Sequence, residues 1–525
     1  MIDKYKLALL LALIGTSALA QMEMKLSLQE ALKTAVERNL DLELQRLNVN
    51  TSNLDIESTR TRYEPQVTAG ISTRESKAQA SNNNEGTSTT VITSTGSDVS
   101  TALSKQEWWG MSWRLSTQTN LNESNSQNSL GERYNTSLSL GFEQELLKGF
   151  SRDKELLLYD QYVAISNSSI TRVVLEDAII TVLQTTENAY WDLVLAREQL
   201  QVNIASLELA ETFLEQNKTK VDVGTLPPID LVNAETQVAS REREIVTAEN
   251  QVSAAEDALK KVMNLPLEKW AAIISPTDQI IIEAVETHFE EDLATALSNR
   301  TEMRKHDQNL RKAELGVKLR QDEMQAKLTF GGSYGFNGAS IGEPIRQRLI
   351  NPVTGEPIQD ANGNDLFTTV GTTGTSVRNS YTDTLAREKP SWNASLNLTW
   401  NPFNKAGKIN LTKANIEMRR EELFVEQTKV TILEDVRSSV REIHANKKSI
   451  QASEKSVKLS RENLKAAEQK FQNGIDTNYT VAEKQKDLVQ EETSLIQAQI
   501  NYIKAVTSYH KALGKLLEKR NILVQ

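Results

Sequence analysis

Residues 221–230 read VDVGTLPPID. The run before them, Ser151 to Val221, contains neither proline nor glycine, enough for a helix of roughly 100 Å at about 1.5 Å per residue. Gly224, Pro227 and Pro228 must end one helix and start the next. Glycine accepts the left-handed closing conformation, and proline's fixed φ and missing N–H suit a first helical turn. Two very long helices are therefore joined by a very short turn.

The stretch has a counterpart 250 residues on, FQNGIDTNYT at 471–480. From Val221, three residues before Gly224, stepping back by sevens meets Leu214, Leu207, Leu200 and Leu193. From Phe471, three residues before Gly474, the same steps meet Leu464, Val457, Ile450 and Ile443. Forward, Leu231, Val238, Ile245, Val252 and Leu259 match Val481, Leu488, Leu495, Tyr502 and Tyr509. The starts of the two halves also correspond, LQEALKTAVERNLDL (28–42) with FEEDLATALSNRTEM (289–303). Each half reads helix, strand region, long helix, turn, long helix, so the chain carries two internal repeats. A strict seven-residue period means knobs-into-holes packing with a left-handed supercoil. A dimeric coiled coil or a spectrin-like bundle would share that seam but would have no strands between its helices.

Strands are there. TSLSLGFEQEL (136–146) alternates, with Leu138, Leu140 and Phe142 on one face and Ser137, Ser139 and Gly141 on the other. SWNASLNLTW (391–400) places Trp392, Ala394, Leu396, Leu398 and Trp400 on one face. PQVTAGIST (65–73) and LTFGGSYGFNG (328–338) complete a set of four. One apolar face against a face of Ser, Gly and Asn suits a barrel with lipid outside and water inside. Five of the seven tryptophans (Trp108, Trp109, Trp113, Trp392 and Trp400) lie in or between the strand regions, as residues at membrane interfaces do. The polar stretches 78–104 and 339–390 read as mobile surface loops between strand partners. GMSWRLSTQTNLN (110–122) is a further strand pattern; whether it pairs with 98–107 across a turn at WWG stays open.

The remaining composition narrows the class. The 525 residues carry a net charge of −10, which argues against nucleic acid as partner, and no cysteine, which leaves no disulfide, thiolate metal site or lipid attachment point. MIDKYK, the apolar LALLLALIG and an Ala18-Leu19-Ala20 site read as a secretory signal over 1–20. No mature segment offers the ~20 apolar residues a membrane-spanning helix needs. The four histidines (His288, His306, His444, His510) have no metal spacing, and GGSYGFNG lacks a P-loop lysine. The Glu/Lys pairs of EKQKDLVQEE read as solvated helix faces. With no nucleophile constellation and no cofactor site, the chain is expected not to be an enzyme.

The combination resembles the TolC-like outer membrane efflux proteins, on LSLQEALKTAVERN near the start, EPQ (64–66), VDVGTLPPIDLVNAETQVA (221–239), LTWNPF (398–403) and FQNGIDTNYTVAEKQKDL (471–488). The resemblance covers essentially all of the mature chain. It implies an α+β membrane protein: a transmembrane β-barrel shared by a homotrimer, four strands per chain, above a long periplasmic α-helical barrel. The expected plan is a first repeat over 21–270 (strands 63–77 and 134–147, helical hairpin 151–265). A linker follows over 271–288, then a second repeat over 289–525 (strands 326–338 and 391–402, hairpin 407–519). The resemblance also implies a passive exit duct through outer-membrane lipid for efflux or type I secretion. Its partners would be a periplasmic adaptor and an inner-membrane RND or ABC transporter, which supply the energy. The alternative is a trimeric coiled-coil surface or adaptor protein without channel activity.

In such a protein the two turns form the periplasmic entrance. Val223, Gly224 and Thr225, with Asn473, Gly474 and Ile475, would be where the adaptor docks. Asp230 and Asn233 in the first tip, with Asp476, Tyr479, Thr480 and Glu483 in the second, would line the gate. Repeated around an axis, Asp230 or Glu483 makes an acidic ring that favours cations. Asp230 can equally serve as a helix-start residue after Pro-Pro. Thr480 stands where the family often has an acid. The proline-free second tip is expected to move and the first to be the stiffer docking element. The exported cargo is not encoded.

Overall fold

A computed structural model describes residues 23–79, 91–124, 131–150, 153–224 and 226–522; the expected signal segment and Thr225 lie outside them. The order is β1 (Glu23–Leu26), α1 (Leu28–Arg38), α2 (Leu40–Thr61), β2 (Gln66–Gln79), β3 (Val91–Gln106), β4 (Met111–Ser124), β5 (Gly131–Glu145), α3 (Lys154–Leu157), α4 (Tyr159–Asp222) and α5 (Pro228–Val262). Then follow β6 (Ile273–Pro276), α6 (Phe289–Asn299), α7 (Thr301–Asp322), β7 (Lys327–Ile341), β8 (Pro344–Arg348), β9 (Phe367–Thr372), α8 (Val377–Leu385), β10 (Pro390–Thr399), α9 (Lys405–Gln472), α10 (Asn478–Ala512) and α11 (Leu516–Lys519). Helix lengths recur along the chain. α1 and α6 have 11 residues each, α2 and α7 have 22, α5 and α10 have 35, and α4 and α9 have 64 and 68. No described helix is long and apolar enough to cross a membrane.

The chain divides into two compact units: residues up to 53, 166–310 and 420 onward; and 54–165 with 311–419. The second holds one six-stranded antiparallel sheet in the order β10-β7-β5-β4-β3-β2. Its register decides its chemistry. One row crosses all six strands as Trp392–Tyr334–Leu140–Leu115–Leu103–Val67. The adjacent row, on the opposite face, reads Ser391–Gly335–Ser139–Ser116–Ala102–Thr68. Successive strand residues point to opposite faces, so alternation in sequence becomes one apolar and one small, polar face. Most of the apolar row is open: Val67, Leu115, Leu140, Tyr334 and Trp392 are exposed. Near the far end of that face α8 seats on the sheet, where the Ser380 and Thr136 hydroxyls lie 2.6 Å apart and Thr384 donates to the Thr136 carbonyl.

Three expectations are corrected here. The sheet has six strands, not four. The first-half strands β2 and β5 are not partners: β2 pairs with β3, and β5 with β4 and β7. The supposed loops contain structure. β3 occupies 91–106 of the first, with 80–90 outside the described residues. In the second, β7 runs to Ile341, β8 pairs with β9, and α8 follows. VITSTGSDVSTALSKQ reads as a loop because its polar positions are Ser, Thr, Gly and Asp. Those are also what a strand carries on a water-facing side, while Val99, Thr101 and Leu103 hold the other. The open question is answered as well: β3 and β4 form a hairpin turning at Glu107–Gly110.

In the helical unit β1 and β6 pair in parallel. Ser27 caps α1 in a reciprocal box with Glu30, and Leu28, Ala31, Leu32 and Ala35 turn inward. Asp278 accepts the Leu28 amide at 2.8 Å and the Tyr190 hydroxyl at 2.6 Å, tying the 271–288 segment to α1 and α4. Glu187, wholly buried, accepts from Thr507 at 2.7 Å and pairs with Arg520. The second-half seam is buried as its period requires, from Ile443 to Phe471. The first keeps Leu193 wholly buried but is rotated beyond it: Ser206, Ala210, Phe213 and Asn217 are buried, whereas Leu200, Leu207 and Leu214 are half-buried.

Near the end of α10, burial pushes the His510 imidazole down to about 4 from 6.5, and the charges of Lys519, Arg520 and Lys515 push the same way. The unfolded chain then binds this proton more readily than the folded one. The neutral ring's contribution to stability is present above about pH 6.5 and lost as pH falls toward about 4. Melting temperature followed by circular dichroism should fall across that window, and His510→Gln should flatten the fall. An unchanged slope in the variant would show that the ring is not its source.

Candidate functional site

The described turns close by the same backbone device. Gly224 (φ 78°) and Gly474 (φ 72°) sit in the left-handed region, which L-residues with a Cβ adopt at a cost. The Ile475 amide donates back to the Lys470 carbonyl at 2.9 Å, and the Leu226 amide to Lys220 at 3.3 Å, one residue further. Nothing lies within 4 Å of where a Cβ would stand on either glycine, so the requirement is conformational and not one of space.

The restarts differ. Pro227, extended at φ −66° and ψ 146°, precedes Pro228 at the first helical position without a side-chain cap. In the second tip side chains supply the cap. Asp476 accepts the Thr477 amide at 2.8 Å, and the Thr477 hydroxyl accepts from the Thr480 amide at 3.4 Å. Hydrogen bonds from Thr480 and from the Thr477 amide hold the Asp476 carboxyl below its ordinary range. Thr480 thus works as a partner of Asp476.

An apolar cluster lies under the tips, built on Phe213, Val457, Leu464, Phe471, Val481 and Leu488, with Leu226 packed against it. The Phe213 and Phe471 rings are 5.3 Å apart, and the Lys220 ammonium lies 4.1 Å from the Phe471 ring centre. Buried Asn478 donates its side-chain amide to the Asp230 main-chain carbonyl at 2.8 Å, joining the two hairpins. One helical turn from Phe213, Asn217 is wholly buried, and neither its Oδ1 nor its Nδ2 has a partner among the described residues.

The expected docking residues lie at the surface: Val223 and Ile475 are 69% and 75% exposed, and Gly224, Asn473 and Gly474 are open. Tyr479 (72%), Asn233 and Glu483 are exposed; Asp230, Asp476 and Thr480 are half-buried. Asp230 meets the second tip through its backbone, not its carboxylate. Glu483 lies 3.6 Å from Lys484, which is closer to Asp487 at 2.9 Å. The sequence reading missed Asn478, Asn217 and the Lys220–Phe471 contact. Asn217 was reachable, since 206, 210, 213 and 217 follow the alternating four-and-three spacing of a coiled-coil seam.

A family model described as "Outer membrane efflux protein" matches residues 113–265 and 293–515. Among solved structures the chain is similar to a membrane protein from Pseudomonas aeruginosa (15% identity, 93% of each chain, TM-score 0.64). It is also similar to the outer membrane protein VceC from Vibrio cholerae (13% identity, 93% of this chain and 96% of that one, TM-score 0.63). The outer membrane channel CmeC of Campylobacter jejuni gives 14% identity over 93% of this chain and 86% of that one, with TM-score 0.61. At such identities the likeness is one of fold. No curated protein matches in sequence.

Burying an unsatisfied amide costs about 1–3 kcal/mol. Asn217→Leu should therefore stabilise the tip cluster by roughly that amount, slowing backbone hydrogen exchange at the ends of α4 and α9. Asn478→Ala should lose about 1 kcal/mol and speed it. Exchange unchanged in both variants would mean that these side chains do not hold the tips together.

Proposed function

The chain belongs to the outer membrane efflux protein family, and from that premise we propose that it is the outer-membrane exit duct of a tripartite efflux or type I secretion system. On this reading it is a homotrimer whose strands share one barrel in outer-membrane lipid. Its α4–α5 and α9–α10 hairpins, products of an internal duplication, form a periplasmic conduit. The tips dock onto a periplasmic adaptor coupled to an inner-membrane RND or ABC transporter. The protein is not an enzyme; its partners supply the energy.

The observation that carries this reading is the pair of register rows. A sheet apolar across its full width on one face and small and polar on the other suits lipid on one side and water on the other. A coiled-coil surface or adaptor protein has no use for it. The recurring helix lengths support the duplication. The exposed side chains of Val223 and Ile475, beside paired glycine stops, suit a docking surface.

Asp230 and Glu483 are proposed as the acidic residues at the entrance. The double variant Asp230→Asn with Glu483→Gln should lower the cation selectivity of channels reconstituted in planar bilayers; an unchanged reversal potential would discard the ring. Gly224→Pro should abolish export, since proline cannot reach φ 78°, while outer-membrane assembly persists. Gly224→Asn, which tolerates that region, should keep most activity. Full export by Gly224→Pro would remove the first tip from the docking role.

A further inference from the structure

We propose that the β3–β4 hairpin is part of the barrel wall, so that a trimer of this chain closes eighteen strands, six from each copy, around an enlarged lumen. The inference rests on the trimeric duct reading and concerns what that duct is made of.

The hairpin is no appendage to a finished sheet. β3 is paired with β2 from Gln66↔Ser104 to Gln79↔Val91, and β4 with β5 from Met111↔Gln144 to Ser124↔Gly131. It lies between the two, and β2 and β5 do not pair among the described residues. Its faces match its neighbours. Leu103 and Leu115 continue the apolar row, Ala102 and Ser116 the small one, and Ser116 shares a hydroxyl contact of 3.0 Å with Ser139 of β5. A one-residue slip would reverse every side chain and break both faces.

The hairpin also obeys the rules of closure. It adds two strands, so direction still alternates across the sheet, and edge strands β2 and β10 run oppositely. β10 of one copy can therefore meet β2 of the next as an ordinary antiparallel pair. The short Glu107–Gly110 turn lies at the sheet end where α2 enters and α9 leaves. The longer connections lie at the other, as in outer-membrane barrels. Trp108 and Trp109 sit in that turn and Trp400 just past β10 at the same end, a row of aromatics suited to a membrane interface that runs over the hairpin.

Barrel diameter grows roughly linearly with strand number. Against four strands per chain, six widen the barrel about 1.5-fold and its cross-section about twofold. At this size single-chain barrels already leave an aqueous channel. The barrel then sets no tight size limit, and any selection of cargo falls to the helical tips.

The chain has no cysteine, so engineered pairs are unambiguous. Val67→Cys with Leu103→Cys, and Leu115→Cys with Leu140→Cys, should each cross-link within one chain in isolated outer membranes on copper-phenanthroline oxidation. A cysteine in β2 with one scanned along β10 should link copies into a trimer. A polar thiol reagent should label Ser100→Cys and Gln118→Cys but spare Val99→Cys and Leu115→Cys. Copies linked through β2 and β10 while both hairpin pairs fail, and Val67→Cys joins Leu140→Cys instead, would overturn the enlarged barrel and leave the trimeric duct standing. Equal labelling of all four single cysteines would overturn it independently. Absence of any link between copies would bring down the duct reading itself, and this one with it.

Discussion

A backbone amide or carbonyl left unpaired in hydrocarbon costs several kcal/mol. The six-stranded sheet ends in two open edges, β2 with 14 residues and β10 with 10, exposed along almost their whole length. On the proposed reading the apolar row from Trp392 to Val67 faces lipid, where such open edges would be untenable. The sheet cannot close on itself around water, because even eight strands leave an interior that side chains fill. In the proposed barrel the edges are shared between copies, and closed cyclic symmetry is the arrangement that leaves none over. The oppositely directed edges make that sharing chemically ordinary.

The long helices point the same way from independent residues. Ile204 and Leu209 on α4, Val232 and Val246 on α5, and Val430 and Leu459 on α9 are exposed. Such side chains are common singly on soluble surfaces. Here they recur along helices whose other faces are already packed. The first-half seam shows it best: Ser206, Ala210, Phe213 and Asn217 are buried within the chain while Leu200, Leu207 and Leu214 are left half open. In the proposed homotrimer, contact with a second copy buries the leucines as well.

Sequence made the helices legible because their signals are long and redundant. A glycine stop, a proline restart and a seven-residue seam all agreed around 221–231. The strands with large apolar residues, 136–146 and 391–400, were legible for the same reason. β3 was not, because its positions on the apolar face are mainly Val and Thr and those on the other face are loop residues by composition. The pairing β2–β3 and β4–β5 was beyond reach, since register is a property of neighbours. At the tips, exposed residues follow from the turn. The Asn478–Asp230 bond joins positions 248 apart and needed the packed hairpins to appear.

The tips combine a firm stop with a core that contains an unsatisfied amide. Both glycines fix the reversals, and Pro227–Pro228 fixes one restart without any polar contact. The other restart depends on hydroxyl and carboxylate bonds open to water. Beneath them Asn217 contributes an unsatisfied amide, which costs about 1–3 kcal/mol, while the Asn478–Asp230 bond returns only about 1 kcal/mol net. Those two polar terms nearly cancel, so the packing of Phe213, Phe471 and their apolar neighbours carries the tip cluster. On the proposed reading, a docked adaptor opens the tips only by binding the opened arrangement more tightly than the packed one.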